Sequence, residues 1–414
     1  MNFPNANPSW FCVGQLMNGC EVTQQAHIVF TPASICYVGI APPPKDILKP
    51  GQTQPDATLP DYTLLPGLIE GHSHIFLEGA ELDFEKRKTY QNQSPGLLLD
   101  QARKRLQKIA LMGVIAMRDG GDKDRVGLTL RAEINGVPPC IASPGAAIHH
   151  KGRYGSFIGG PVEDFATPES CVAARVSEGA DHIKIVPTGI INFQKGQVTQ
   201  PPQMTAEEVA VFVTTAQQHG KHVMAHASGT PGIENAIVGN VDTIEHGFFV
   251  TRDQLCRMRD QKIAWVPTFV PVQVQVDEAE KMGWDDKIVA NLQKILDNHA
   301  TRLRQADEIG VIIVAGSDAG SCGVAHGLGL LYELELMEKA GLAPIKVLHS
   351  ATGASALRLS FDHKVGWLKP GYAPHMILTQ HNPLQSVSHL KLEKWVFFNG
   401  QWHHSLPVQN PSGL

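Results

Sequence analysis

Leu64-Leu65-Pro66-Gly67-Leu68-Ile69-Glu70-Gly71-His72-Ser73-His74 is the stretch that decides the architecture. It is an apolar run of strand character that ends in a His-x-His pair. In a strand, residues i and i+2 point to the same side, so both imidazoles project together and can share one metal ion. Seven further short apolar runs follow, at 114–117, 140–142, 182–187, 222–225, 241–245, 263–267 and 311–315. With 64–71 they make eight candidate strands, mostly as apolar as strands covered on both faces should be.

Helical patterns lie between them. Ser94-Pro95 places a capping hydroxyl before a proline at the first helical position, and Leu98, Ala102, Leu106 and Ile109 repeat along one face. Thr167-Pro168 opens another helix in the same way. Thr205 with Glu208 reads as a capping box ahead of Val209, Phe212 and Val213. Residues 285–308 carry Ile288, Leu292 and Leu296 between charges. Strands alternating with helices predict an α/β fold, a (β/α)8 TIM-type barrel with its chemistry at the strand C-termini. A doubly wound open sheet shares the same pattern.

The chain ends read differently. Strand-like pieces at 11–13, 26–30 and 35–40 close on Pro42-Pro43-Pro44, and others recur at 365–368, 375–379 and 395–399. Together they predict a small β-sandwich built from both termini. The expected division is 1–63 and 361–414 for that domain, with the barrel at 64–360.

Composition narrows the partners. The 414 residues carry 35 Lys plus Arg against 40 Asp plus Glu, a net charge of −5, which excludes a strongly basic nucleic-acid binder and a polybasic membrane segment. Seven cysteines without a CxxC pair argue against a disulfide framework and a thiolate zinc module. The first basic residue is Lys45, so no signal-peptide n-region is seen, and no apolar run approaches the ~18 residues that span a bilayer. A cytoplasmic protein acting on a small molecule is expected, with no nucleic-acid or membrane partner and with homo-oligomerisation left open. Histidine is in excess, at nineteen.

Chemistry collects at the predicted strand ends. Lys184 sits in the apolar run His182-Ile183-Lys184-Ile185-Val186, where it must snorkel to water, find a partner or lose its charge. A sharper reading makes it a metal-site lysine converted by carbon dioxide to an anionic carbamate, whose two oxygens suit it to bridge two cations. His226 and His246 each close a short apolar strand, as hydrogen-bonding residues or as ligands, and Asp318 ends the eighth as a helix cap or a ligand. Taken together, His72, His74, Lys184, His226, His246 and Asp318 suit two adjacent cations better than one.

The ordered set resembles the amidohydrolase superfamily, starting at Pro66-Gly67-Leu68-Ile69-Glu70-Gly71-His72-Ser73-His74 and running to the C-terminus. It is most similar to the binuclear branch with a carboxylated lysine, in its prolidase-like and imidazolonepropionase-related group. Residues 114–121 (VIAMRDGG), 182–189 (HIKIVPTG), 242–247, 316–320 and 366–384 carry the likeness. The resemblance implies that His72 and His74 hold a buried metal and His226 and His246 a more exposed one. Carboxylated Lys184 would bridge them, and Asp318 would contact the buried metal. It also implies attack by a metal-bridging hydroxide, with Asp318 as general base and then general acid. Zinc leads the metals that such nitrogen and oxygen ligands accept, with manganese, cobalt or iron behind it.

Three positions depart from the family pattern: Glu70 where Asp is usual, Ala373-Pro374-His375 where an Ala-Asp pair is usual, and His149-His150 in place of a Gly-Gly-His-Gly segment. His149 or His150 is expected to reach the substrate carbonyl, or else to be a hydrogen-bonded loop residue. Arg153 and Tyr154 (with Lys151), Asn192 and Phe193 (with Lys195), and His326 are expected to border the substrate, a cation there suiting a carboxylate. Their alternative is a solvated loop face. Phe248, Phe249, Val250, Phe269, Val270 and Val272 suit an apolar acyl part or leaving group. The leading expectation is hydrolysis of an amide-type C–N bond, in an N-acyl amino acid, dipeptide, urea or carbamate. Deamination of a nitrogen heterocycle and opening of a cyclic amide or lactone are the alternatives. Lys184 argues against the deaminase, and the intact ligand set argues against a non-catalytic scaffold.

Overall fold

The computed structural model describes residues 7–359, 361 and 365–408; the expected domain division at residue 360 lies outside them. Parallel strands run Leu68–Ser73, Val114–Asp119 and Cys140–Ala142, then Ala147–His149, Ile183–Ile185, Val223–Ala227, Thr243–His246 and Ala264–Val266. The third barrel strand is thus broken: Cys140–Ala142 pairs with the second, and Ala147–His149 pairs with Ile183–Ile185. The eighth position is held by single bridges rather than by a ladder, with Ile313 against Trp265 and Ala319 against Ser73. Gly71 N donates to the Ala315 carbonyl (2.8 Å) and Asp318 N to the His72 carbonyl (2.8 Å), which closes the barrel. Gly71 is needed there, because a Cβ would lie 2.5 Å from the Ala315 oxygen.

The helices form where their caps are. Ser94 caps Pro95–Leu111, whose buried residues include Leu98, Ala102, Leu106 and Ile109. Asp285 caps Asp286–Ile309, which buries Ile288, Leu292 and Leu296. Thr205 caps Ala206–Gln218 by accepting from Glu208 N, but the reciprocal half of the expected box is missing. The Glu208 carboxylate is bonded to His150 instead (3.0 Å). No helix among the described residues is long and apolar enough to cross a membrane.

Both chain ends enter one mixed sheet of seven strands, in the order Gln401–Ser405, Lys394–Phe398, Met376–Thr379, Ala57–Pro66, Ser9–Met17, Val22–Phe30 and Ile35–Gly39. The sandwich-like packing comes from curling of this single sheet. Trp402, four strands away from Phe11 in that order, stacks on its ring at 5.9 Å, and Phe397 meets Phe30 edge-on at 5.2 Å. Of these rings Phe11, Phe30 and Phe397 are buried and each contributes roughly 1.5–3 kcal/mol, while Trp402 is only partly buried. Two sequence expectations change here. The run 64–71 is divided, Ala57–Pro66 serving the sheet and Leu68–Ser73 the barrel. Residues 365–368 are not a strand: Gly366 has φ +77°, and Leu368 N simply bonds to the Asn18 carbonyl (3.0 Å).

Candidate active site

His72, His74 and Asp318 meet where the first and eighth barrel positions touch. The Asp318 Oδ1 lies 3.6 Å from His72 Nε2 and 3.5 Å from His74 Nε2. Bonds of about 2.1 Å at tetrahedral angles would put neighbouring donors roughly 3.4 Å apart, so this trio can hold a metal ion. His246 packs against His72 (ring centroids 5.0 Å) and against His226 (4.5 Å). The backbone turns to aim these groups: His246 has φ +69°, Asp318 +54° and Thr268 +52°, a left-handed region that costs β-branched Thr268 most.

Three imidazoles are tied at Nδ1, which leaves Nε2 for a ligand. His72 Nδ1 donates to Glu245 Oε2 (2.7 Å), His74 Nδ1 donates to the Gly121 carbonyl (3.2 Å), and His246 Nδ1 pairs with Thr268 Oγ1 (2.8 Å). Such outer partners fix tautomer and ring orientation at metal sites. His226 Nε2 is buried without a partner, and so is Lys184 Nζ. Burial drives the His74 and His226 pKa values down to about 3 and those of His72 and His246 well below the usual range. All four rings are therefore neutral, the form that binds metal. Burial likewise lowers Lys184 to about 8 and raises Asp318 to about 7. Neutral convergent nitrogens, an orphaned buried amine and a carboxylate are a donor set that fits divalent cations.

Behind them runs a buried charged network. Arg118 Nη2 donates to Glu245 Oε1 (2.8 Å), Nη1 to Thr243 Oγ1 (2.9 Å) and Nε to the Gly71 carbonyl (2.9 Å). Glu245 thereby joins the guanidinium to His72. Glu70, the unusual residue of the first strand, accepts from His72 N (3.1 Å), Ser317 N (2.8 Å) and Ser317 Oγ (2.6 Å). Its longer side chain clasps the first strand to the eighth position.

A cavity of about 340 Å³ opens over these groups, reaching His74, Lys184, His226, His246 and Asp318 at its base. Leu77, Tyr154, Phe157, Ile191, Phe193, Phe248 and Val272 wall it, with Arg87, Gln91 and Gln275 among the polar residues. A larger cavity, about 510 Å³, lies at the opposite end of the barrel against Arg131, Asp181, His182 and Lys221. Among the described residues no His/Cys/Asp/Glu metal group faces it.

The profile of the Amidohydrolase family matches residues 63–402. The chain belongs to the amidohydrolase family. It is thus a hydrolase of carbon–nitrogen bonds. Ochratoxinase of Aspergillus niger is 25% identical over 406 residues, spanning 89% of this chain and 80% of that protein. The crystal structure of that enzyme superposes with a TM-score of 0.79 at 23% identity, covering 99% of this chain and 98% of the other. A Xaa-Pro dipeptidase solved with methionine in its active site gives a TM-score of 0.77 at 25% identity, over 96% of this chain and all (100%) of that one. An uncharacterised protein of Mycobacterium tuberculosis is 25% identical over 293 residues, 70% of this chain and 72% of its own.

Of the substrate-side residues expected from sequence, this amidohydrolase brings Tyr154 and Phe193 to the cavity. Tyr154 lies on His226, ring centroids 5.3 Å apart. Four others are placed elsewhere. His150 is clamped outside the cavity between Glu163 (2.8 Å) and Glu208 (2.9 Å). Arg153 donates to the Pro201 carbonyl (2.7 Å), and Asn192 accepts from Lys195 N (3.0 Å) within its own loop. His326 spends both ring nitrogens behind the first strand, on Ser73 Oγ (3.2 Å) and the Leu77 carbonyl (2.9 Å). His149 is buried and is not part of the cavity wall; its Nδ1 donates to the His150 carbonyl (2.8 Å) and its Nε2 has no partner. In that tautomer Nε2 is an acceptor, so it could stabilise an oxyanion only as imidazolium. Sequence reading missed Arg87, Arg118, Glu245 and Thr268. The signal available for Arg118 and Glu245 was the one applied to Lys184, a charge inside an apolar strand.

Proposed function

We propose that this chain hydrolyses an amide-type C–N bond, in an N-acyl amino acid, dipeptide, urea or carbamate, at a pair of divalent cations. The observation that carries the reading is the convergence of His74, His226, His246 and Asp318 on the cavity that also holds the partnerless amine of Lys184, with His72 grouped with His74 and Asp318. His72, His74 and Asp318 would hold one cation and His226 with His246 the second, with carboxylated Lys184 between them. Zinc is our first choice. When bound, the cations would supply Lewis acidity to the scissile carbonyl and activate water at neutral pH.

The remaining work falls to side chains. Lys184, its pKa lowered to about 8 by burial, has a minor neutral fraction near pH 7 whose amine can add to carbon dioxide and release a proton. Ser321 Oγ donates to Asp318 Oδ2 (2.8 Å), which leaves Oδ1 towards the site. With its pKa lifted towards neutrality by burial, Asp318 can take a proton from the attacking water and return it to the leaving nitrogen. Purified protein is expected to hold close to two transition-metal ions per chain by elemental analysis. Chelation should abolish amide hydrolysis, and the metal should restore it. One ion per chain with undiminished turnover would count against the paired site. Glu245→Gln removes the charge that orients His72 and should weaken metal affinity about 10–100-fold in a competition titration with a chromophoric chelator. Unchanged affinity would mean that Glu245 serves packing alone.

A further inference from the structure

The cavity over the proposed metal site is largely apolar, and Arg87 on the helix Phe84–Gln91 is a cation in its upper wall, only 9% exposed. Its guanidinium is fixed by backbone carbonyls: Nη1 donates to Glu78 (2.6 Å) and Glu81 (3.3 Å), and Nη2 donates to Gly320 (2.7 Å). Carbonyls orient the group without neutralising it. Of the nearby carboxylates, Glu78 is engaged on Ala80 N and Glu81 N and Glu81 with Lys86 (3.6 Å), while Asp318, on the same cavity, senses the Arg87 charge without forming an ion pair with it. No carboxylate pairs with Arg87 among the described residues. A guanidinium has five N–H donors, so about two remain free after these bonds. A rigid, nearly buried, unpaired cation facing a cavity calls for an anion from outside.

Place and surroundings identify that anion. Gly320 is two residues from Asp318, so its carbonyl lies within roughly 8 Å of the aspartate backbone, given 3.8 Å between successive Cα atoms. In an amide of an α-amino acid the carboxylate carbon is two bonds from the amide nitrogen. A carboxylate held by Arg87 therefore sets the leaving nitrogen on the side of Asp318, which must protonate it. Beside Arg87 the rim leaves two large apolar side chains exposed, Phe84 (58%) and Ile190 (56%), continuous with Phe193 and Phe248 on the wall. Such a patch suits an apolar group on the same molecule.

We infer that Arg87 is the carboxylate-recognition residue of this site. The substrates are then amides whose leaving amine carries a free carboxylate next to a bulky apolar group. This rests on the amide-hydrolase reading above and narrows it. Two probes differing only in the carboxylate test it: N-benzoyl-L-phenylalanine and N-(2-phenylethyl)benzamide. The metal-loaded protein should prefer the first by about 100-fold in kcat/KM, a modest fraction of what a dedicated polar contact achieves. Arg87→Met should cut that ratio below about tenfold, chiefly by raising KM for the acid, and Arg87→Lys should recover part of it. If Arg87 merely holds its loop on Gly320, both probes lose alike and the ratio stays at the wild-type value. That result, or a wild-type protein indifferent to the carboxylate, overturns the assignment. Calorimetric binding of the same probes separates the two readings. Carboxylate-selective binding lost in Arg87→Met, with no turnover of either amide, upholds Arg87 and overturns the hydrolase reading. Turnover without carboxylate preference does the reverse.

Discussion

Asp318→Asn is expected to lower kcat for amide hydrolysis about a thousandfold while the chain keeps its metal. The substitution preserves size and retains an oxygen that can sit where Oδ1 lies, 3.5 and 3.6 Å from the two imidazole nitrogens. What it removes is the ability to carry a proton. General acid–base groups contribute typically 10²–10⁴-fold, and here one carboxyl would serve both in attack and in leaving-group departure. Burial lifts this carboxyl to about 7, where uptake and release of a proton are nearly balanced at neutral pH. Steady-state kinetics beside metal analysis of the same preparation make the check. A fall below tenfold with full metal would mean that the proton travels by another route. Loss of metal together with activity would reduce Asp318 to a ligand.

The barrel was legible in the sequence because its signal is local. Short apolar runs alternating with capped helices need no knowledge of distant contacts, and Ser94 and Asp285 cap the helices their positions predict. The features that escaped are those set by partners far along the chain. Thr205 and Glu208 have the spacing of a capping box, but His150, 58 residues away from Glu208, claims the carboxylate. Pro66-Gly67 divides what reads as one strand, because the residues before it pair with Ser9–Met17 and Met376–Thr379. The strand ends bearing histidine were visible for the same local reason as the barrel. The cation lining the cavity was sought in Lys151, Arg153 and Lys195, in loops chosen by order along the barrel. Arg87 sits instead in a helix after the first strand, where nothing but the fold brings Gly320 to its guanidinium, 233 residues away. The interior ion pair of Arg118 with Glu245 was open to the test used for Lys184, since each is a charge inside an apolar strand.

Lys184→Ala separates a bridging lysine from a buried ammonium, and the two readings predict opposite results. As a buried ammonium near Glu245 and Asp318, Lys184 would be a desolvated charge whose removal leaves metal content alone and costs little activity. As a carbamate it would supply a ligand to each cation, so its loss should drop metal content from two ions towards one and lower kcat/KM at least about a thousandfold. The amine is suited to the modification. With its pKa lowered to about 8, roughly a tenth of it is neutral at pH 7, against a few parts in ten thousand for an exposed lysine. The fully buried amine, without a hydrogen-bond partner, leaves room for two carboxylate oxygens once the side chain is removed. Acetate or propionate at millimolar concentration should therefore restore part of the second metal and part of the activity in Lys184→Ala, and do nothing for the unaltered chain. Labelled bicarbonate should give a carbamate carbon resonance in the metal-loaded protein that Lys184→Ala lacks. A variant that keeps two ions and full turnover, with no such resonance in the parent, would return Lys184 to the role of a neutralised core lysine.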